Sequence, residues 1–122
     1  MNVLVVDEHE STTRPLRNAG HDVTVARSGR EVRDLSEQRA FDAIVLALQS
    51  QDADPLQLCD VLRRDNGAVP IVMLVANDTA GERVRCSEAG ADDCLPTACP
   101  VDELLARLRA LVRRTSLQLE TS

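Results

Sequence analysis

Lysine is missing altogether: all 14 basic residues are arginine. That bias is a mark of a GC-rich genome and of no particular chemistry. Tryptophan and tyrosine are missing too, and Phe41 is the single aromatic residue. With 43% hydrophobic residues the chain can still build a core, but an aliphatic one. No apolar run reaches the roughly 20 residues that span a bilayer. The amino terminus carries no signal-peptide pattern, so the expectation is a cytoplasmic protein without a membrane partner. Basic clusters are lacking as well. Twenty acids against 14 bases give a net charge of −6, which argues against direct nucleic-acid binding by this chain. Among Cys59, Cys86, Cys94 and Cys99 there is no C-x-x-C pair. In a reducing cytosol they read as small buried hydrophobes. With two histidines and no Cys/His spacing, zinc is not expected.

What is present is alternation. At 122 residues the chain suits one domain. Five apolar runs have strand character: 2–6 (NVLVV), 21–26 (HDVTVA), 41–47 (FDAIVLA), 70–75 (PIVMLV) and 92–95 (DDCL). Helical spacing separates them. Val101, Leu104, Leu105, Leu108, Leu111 and Val112 mark one amphipathic face, Leu58, Val61 and Leu62 a second, Val32 and Leu35 a third. Asp54-Pro55 supplies an N-cap and a first-turn proline, and Gly20 and Gly67 suit helix ends. Pro15 places the start of the first helix near Thr13, with a hydroxyl cap. Asp102 and Glu103 open the last helix, and Arg113-Arg114 supply its basic last turn. Strict alternation predicts an α/β fold, a doubly wound five-stranded parallel sheet of (βα)₅ type.

The third apolar run poses the functional question. FDAIVLALQSQDADP passes from a buried-strand pattern into a polar loop. Strand ends of that kind are where open α/β sheets place their chemistry. Here the run ends in Ala47 and Leu48, which have none. Its neighbours carry the explanation. VLVVDE near the start, PIVML, ERV followed after seven residues by GADD, and DELLARLRALVRR together resemble the receiver domain of bacterial two-component response regulators. The likeness is greatest to the winged-helix, OmpR-type branch and covers residues 2 to about 114.

The resemblance implies a flavodoxin-like fold and a phosphorylation site made of an acidic Mg²⁺-binding pair, an acceptor Asp, a hydroxyl residue, a Lys and an aromatic switch residue. Position by position, the pair survives as Asp7 and Glu8. The acceptor is Ala47, the hydroxyl position Val75, the Lys-Pro pair Thr97-Ala98 and the switch position Cys94. Alanine offers neither nucleophile nor metal ligand, so an aspartyl phosphate cannot form there. The joint loss is coherent, because removing the Asp alone would strand the Lys charge in a half-buried cleft. The expectation is a receiver that is not phosphorylated, is not an enzyme and needs no cofactor. Weak Mg²⁺ binding at Asp7 and Glu8 stays open, with a solvated acidic edge as the plainer reading.

The resemblance also implies a two-fold dimer through the fourth helix, fifth strand and fifth helix. Across it Arg83 would face Glu103, Asp93 would face Arg107 and Asp92 would face Arg114. The plainer alternative is a Glu103–Arg107 pair within one helix. Residues 1–114 are then the receiver, and 115–122 begin a linker to a winged-helix DNA-binding domain outside this chain. Three alternatives stand beside this regulatory and dimerisation role. One is a small-molecule sensor with a ligand near Asp7, Ala47, Val75 and Thr97. Another is residual phosphoryl transfer to Asp52. The third is a thiol switch pairing Cys94 with Cys99.

Overall fold

The computed structural model describes residues 1–6, 12–47, 55–65, 67–76 and 79–121, with side chains through Thr115. Strands and helices alternate as β1 (Asn2–Val6), α1 (Thr13–Asn18), β2 (Asp22–Ala26), α2 (Gly29–Gln38), β3 (Ala43–Leu46), α3 (Pro55–Asp65), β4 (Ile71–Val75), α4 (Ala80–Glu88), β5 (Asp93–Pro96) and α5 (Val101–Thr121). All strand pairs are parallel, in the order β2-β1-β3-β4-β5. This is the flavodoxin-like order, whose winding reverses between β1 and β3. The register sets Val3 beside Val23 and Ala43, Ile44 beside Ile71, and Met73 beside Cys94.

Alternation along the strands sorts the core into two aliphatic layers. Val3, Val5, Val45, Val72, Leu74 and Leu95 face Leu16 of α1 and Leu104, Leu105, Leu108 and Leu111 of α5. Leu4, Val6, Ile44, Leu46, Ile71 and Met73 face Val32, Leu58, Cys59, Leu62 and Cys86 of α2, α3 and α4. Every residue of β3 is buried, which explains its unbroken apolar run. The expected α/β architecture is therefore the observed one, with shifts at several boundaries.

Those shifts have local causes. β3 starts at Ala43, two residues later than the apolar run. Phe41 lies before the ladder, and the Asp42 carboxylate accepts the Asn2 N–H at 2.7 Å. β5 runs from Asp93 to Pro96 instead of 92–95, because Asp92 is turned out to hold α3 and β4. The hydroxyl cap expected on α1 is absent. Thr12 sits in right-handed helical geometry with no side-chain cap bond, and a capping side chain needs an extended backbone. The unpredicted caps are elsewhere: Ser28 Oγ accepts the Glu31 N–H, and Thr79 Oγ1 the Glu82 N–H, both at 3.2 Å. α3 does begin at Pro55, while Asp54 lies outside the described residues. Finally, α5 continues to Thr121, so Arg113 and Arg114 are not its last turn and the polar tail is helical backbone. Residues 115–121 contain neither Gly nor Pro to stop it.

One arginine ties the end of α3 to the connections before β4 and β5. Arg63, in the last turn of α3, donates through Nε and Nη2 to Gly90 O at 3.0 and 2.8 Å. Its Nη1 donates to Gly67 O at 3.1 Å and Val69 O at 2.7 Å, and Nη2 also to Asp92 Oδ2 at 2.6 Å. A guanidinium has five N–H donors in a planar fork, and these five bonds match that number. Gly90 is fitted to this hub twice over. Its φ of +104° suits glycine, and a Cβ there would meet Arg63 Cγ at 3.2 Å. Gly67 contributes its carbonyl rather than a left-handed turn.

Candidate functional site

The carboxyl ends of β1, β3, β4 and β5 converge where the winding of the sheet places a crevice. Asp7, Glu8 and Asp52 lie outside the described residues; Asp7 and Glu8 follow directly on β1. Ala47 follows β3, and its N–H donates to Val6 O at 2.8 Å, prolonging the β1–β3 ladder by one bond. Its methyl is 7% exposed and belongs to the same layer as Val45, Leu95 and Leu104. The position that the resemblance aligns with an acceptor is thus part of the core. Val75 closes β4 half-buried, and Thr97 N–H donates to Val75 O at 2.9 Å. Ala98 is exposed.

Ala47, Val75 and Thr97 are therefore brought to one end of the sheet, as the resemblance implied. Among these three positions the Thr97 hydroxyl is the only polar side-chain group. None of the three supplies a carboxylate nucleophile or a lysine cation. Mg²⁺, which the resemblance implies for an intact receiver, would need oxygen donors converging on this end. The Ala47 side chain gives none, and among the described residues no group of three metal-binding side chains forms. The described residues do not by themselves make a Mg²⁺ site, the acidic pair Asp7 and Glu8 lies outside them, and no step is drawn through one.

The switch position behaves differently. Cys94, in β5, lies in the layer facing α4, and its thiol donates to Cys86 Sγ at 3.4 Å. Cys99 packs in the opposite layer, with Leu104 and Leu108. The sheet lies between Cys94 and Cys99, the two thiols of the alternative switch, and the sulfur beside Cys94 is that of Cys86. Burial pushes the Cys59 thiol up to about 11 and raises Cys86 and Cys99 as well.

Of the six residues assigned to a dimer face, Arg83, Glu103, Arg107 and Arg114 are exposed, Asp93 is half-buried and Asp92 lies on the surface. Asp92, Asp93 and Arg107 already make contacts within the subunit. Asp92 Oδ2 accepts from Arg63 Nη2 and, at 2.8 Å, from the Ile71 N–H. Arg107 Nε lies 3.7 Å from Asp93 Oδ2 of the same chain. The i,i+4 partner weighed for Arg107 was Glu103; the ion pair the structure gives Arg107 is Asp93. The Arg63 hub gave no sequence signal, because four of its five bonds end on backbone carbonyls.

Comparison with known proteins agrees with this fold. Residues 3–109 match the response regulator receiver domain family. The chain is 42% identical over 120 residues to the response regulator MprA of Mycolicibacterium vanbaalenii, covering 95% of this chain and 52% of that protein. It thus spans about half the length of the curated relatives it matches. A Francisella response regulator receiver domain superposes with a TM-score of 0.83 at 30% identity, over 93% of this chain and 98% of that one. The receiver domain of the sensor histidine kinase PA1611 from Pseudomonas aeruginosa, solved with magnesium coordinated in its active site cleft, gives 0.78 at 28% identity, over 91% and 96%. No helix among the described residues is long and apolar enough to cross a membrane. The chain belongs to the response regulator receiver domain family and has the fold of a two-component receiver.

Proposed function

We propose that this receiver works without phosphorylation, as a non-enzymatic regulatory and dimerisation module of a transcription regulator. The observation that carries the reading is Ala47, a buried methyl where the resemblance requires a phosphoacceptor carboxylate. Val75 and Thr97, in place of the hydroxyl and lysine, support it: no cation remains at either position to hold a phosphoryl group. The dimer would form through α4, β5 and α5, with a DNA-binding domain beyond Ser122 in the full-length protein. Arg83, Glu103, Arg107 and Arg114 lie exposed on α4 and α5, and Arg107 would have to share or exchange its contact with Asp93. An Asp92–Arg114 contact would use a carboxylate that Arg63 already holds in place.

The test is intact mass after incubation with acetyl phosphate and Mg²⁺. An unchanged mass is expected. A hydroxylamine-labile gain of one phosphoryl group would overturn the reading, and peptide mapping would then show whether Asp52 is the acceptor.

A further inference from the structure

Cys86 and Cys94 share one surface cleft. It lies between α4 and β5, has a volume of about 190 Å³, and is lined by both cysteines together with Arg83, Ser87 and Asp93. Cys86 itself is 1% exposed, whereas Cys94 is half-buried, so a solute entering the cleft meets Cys94 first. The sulfurs are 3.4 Å apart, linked by the Cys94 hydrogen bond. A disulfide needs about 2.05 Å, so an approach of roughly 1.4 Å suffices to join them. Neither Cys59, buried on α3, nor Cys99, across the sheet, is paired in this way.

We propose that Cys86 and Cys94 are a peroxide-responsive dithiol that closes into a disulfide fastening α4 to β5. The inference does not rest on the phosphorylation reading, since it uses neither Ala47 nor its neighbours. The Cys94 sulfur attacks one peroxide oxygen. The O–O bond breaks, Cys94 becomes a sulfenic acid, and the other oxygen leaves with the thiol proton as water or alcohol. Cys86 sulfur then attacks the sulfenic sulfur, the S–S bond forms, and the hydroxyl departs with the Cys86 proton as water. Two thiols are oxidised by two electrons and one peroxide is reduced. Burial raises the Cys86 thiol, which disfavours its acting first and is consistent with its role as the resolving partner. Closure would reposition α4, and with it Arg83, against Asp93 on the face proposed for the dimer.

The experiment treats the intact chain with stoichiometric hydrogen peroxide, quenches with an alkylating reagent and reads mass before and after reduction. Cleavage after Glu88 separates Cys86 from Cys94 and Cys99, and Cys99→Ser leaves Cys94 alone on its peptide. Expected are the loss of two hydrogen atoms and a Cys86–Cys94 linked peptide that survives Cys99→Ser and disappears in Cys94→Ser. Failure to oxidise, over-oxidation of Cys94 without a linked peptide, or linkage to Cys59, to Cys99 or between chains would each overturn the proposal.

Discussion

Replacing Arg63 by alanine removes five hydrogen bonds that join the end of α3 to the connections before β4 and β5. Bonds to a charged group contribute about 1.5–3 kcal/mol each when isolated, but these share one side chain and do not add. The Asp92 ion pair is partly solvated, with the two side chains 24% and 36% exposed, so its Coulombic share is about 1 kcal/mol or less. The larger share is the carbonyls of Gly67, Val69 and Gly90, which lose a common donor. We expect a total near 3 kcal/mol for Arg63→Ala, or a fall in Tm of about 12 °C at this chain length. Arg63→Lys should recover less than half, because an ammonium cannot reproduce the fork. Without tryptophan or tyrosine, urea unfolding is best followed by far-UV circular dichroism. An Arg63→Ala loss below about 0.5 kcal/mol, or full recovery by lysine, would refute the hub. A double-mutant cycle with Asp92→Ala adds a functional reading. Coupling of about 1 kcal/mol assigns Asp92 to a contact within the subunit, whereas independence would return it to the dimer face.

Ala47→Asp should destabilise the domain by about 1–3 kcal/mol at neutral pH, since it puts a carboxylate into an almost closed layer with no lysine nearby. Adding Thr97→Lys should recover part of that loss, as chemical denaturation would show. Arg107→Ala should leave stability within about 0.5 kcal/mol, because its pair with Asp93 is largely solvated. The same change should weaken dimerisation in light scattering over a concentration series; unchanged dimerisation would exclude Arg107 from the interface. Cys59, with its thiol pushed up to about 11 by burial, should be nearly inert to an aromatic disulfide reagent at pH 8. Roughly one molecule in a thousand carries the thiolate there, and its reactivity should climb with pH; rapid labelling at pH 8 would contradict this.

The fold was legible because its signals are periodic. NVLVV, AIVL and IVMLV are buried on both faces and so read as unbroken apolar runs, while α5 shows its seam at Leu104, Leu108 and Leu111. The gathering of Ala47, Val75 and Thr97 at one sheet end was legible because the resemblance assigns them to positions at or just past strand ends. What escaped notice depends on three-dimensional approach. Arg63 works on backbone carbonyls that carry no residue identity. Gly90 is needed because Arg63 leans over it. Cys86 pairs with Cys94 because α4 packs on the layer of Met73, whereas Cys99 is nearer in sequence but beyond the sheet. The end of α5 was misplaced for a different reason. Arg113-Arg114 suits a helix terminus electrostatically, yet nothing after it breaks the backbone.

The length of α5 has a mechanical consequence. Its 21 residues form one unbroken rod, about 31 Å long at 1.5 Å per residue. Each residue added to such a rod advances whatever continues it by about 100° of azimuth. A single insertion after Arg114 would therefore swing a following module to another side of the receiver, while an insertion of about 18 residues, five full turns, would restore its phase. Orientation would be written in the helical repeat, and changing it would require unwinding the rod or turning the helix as a body.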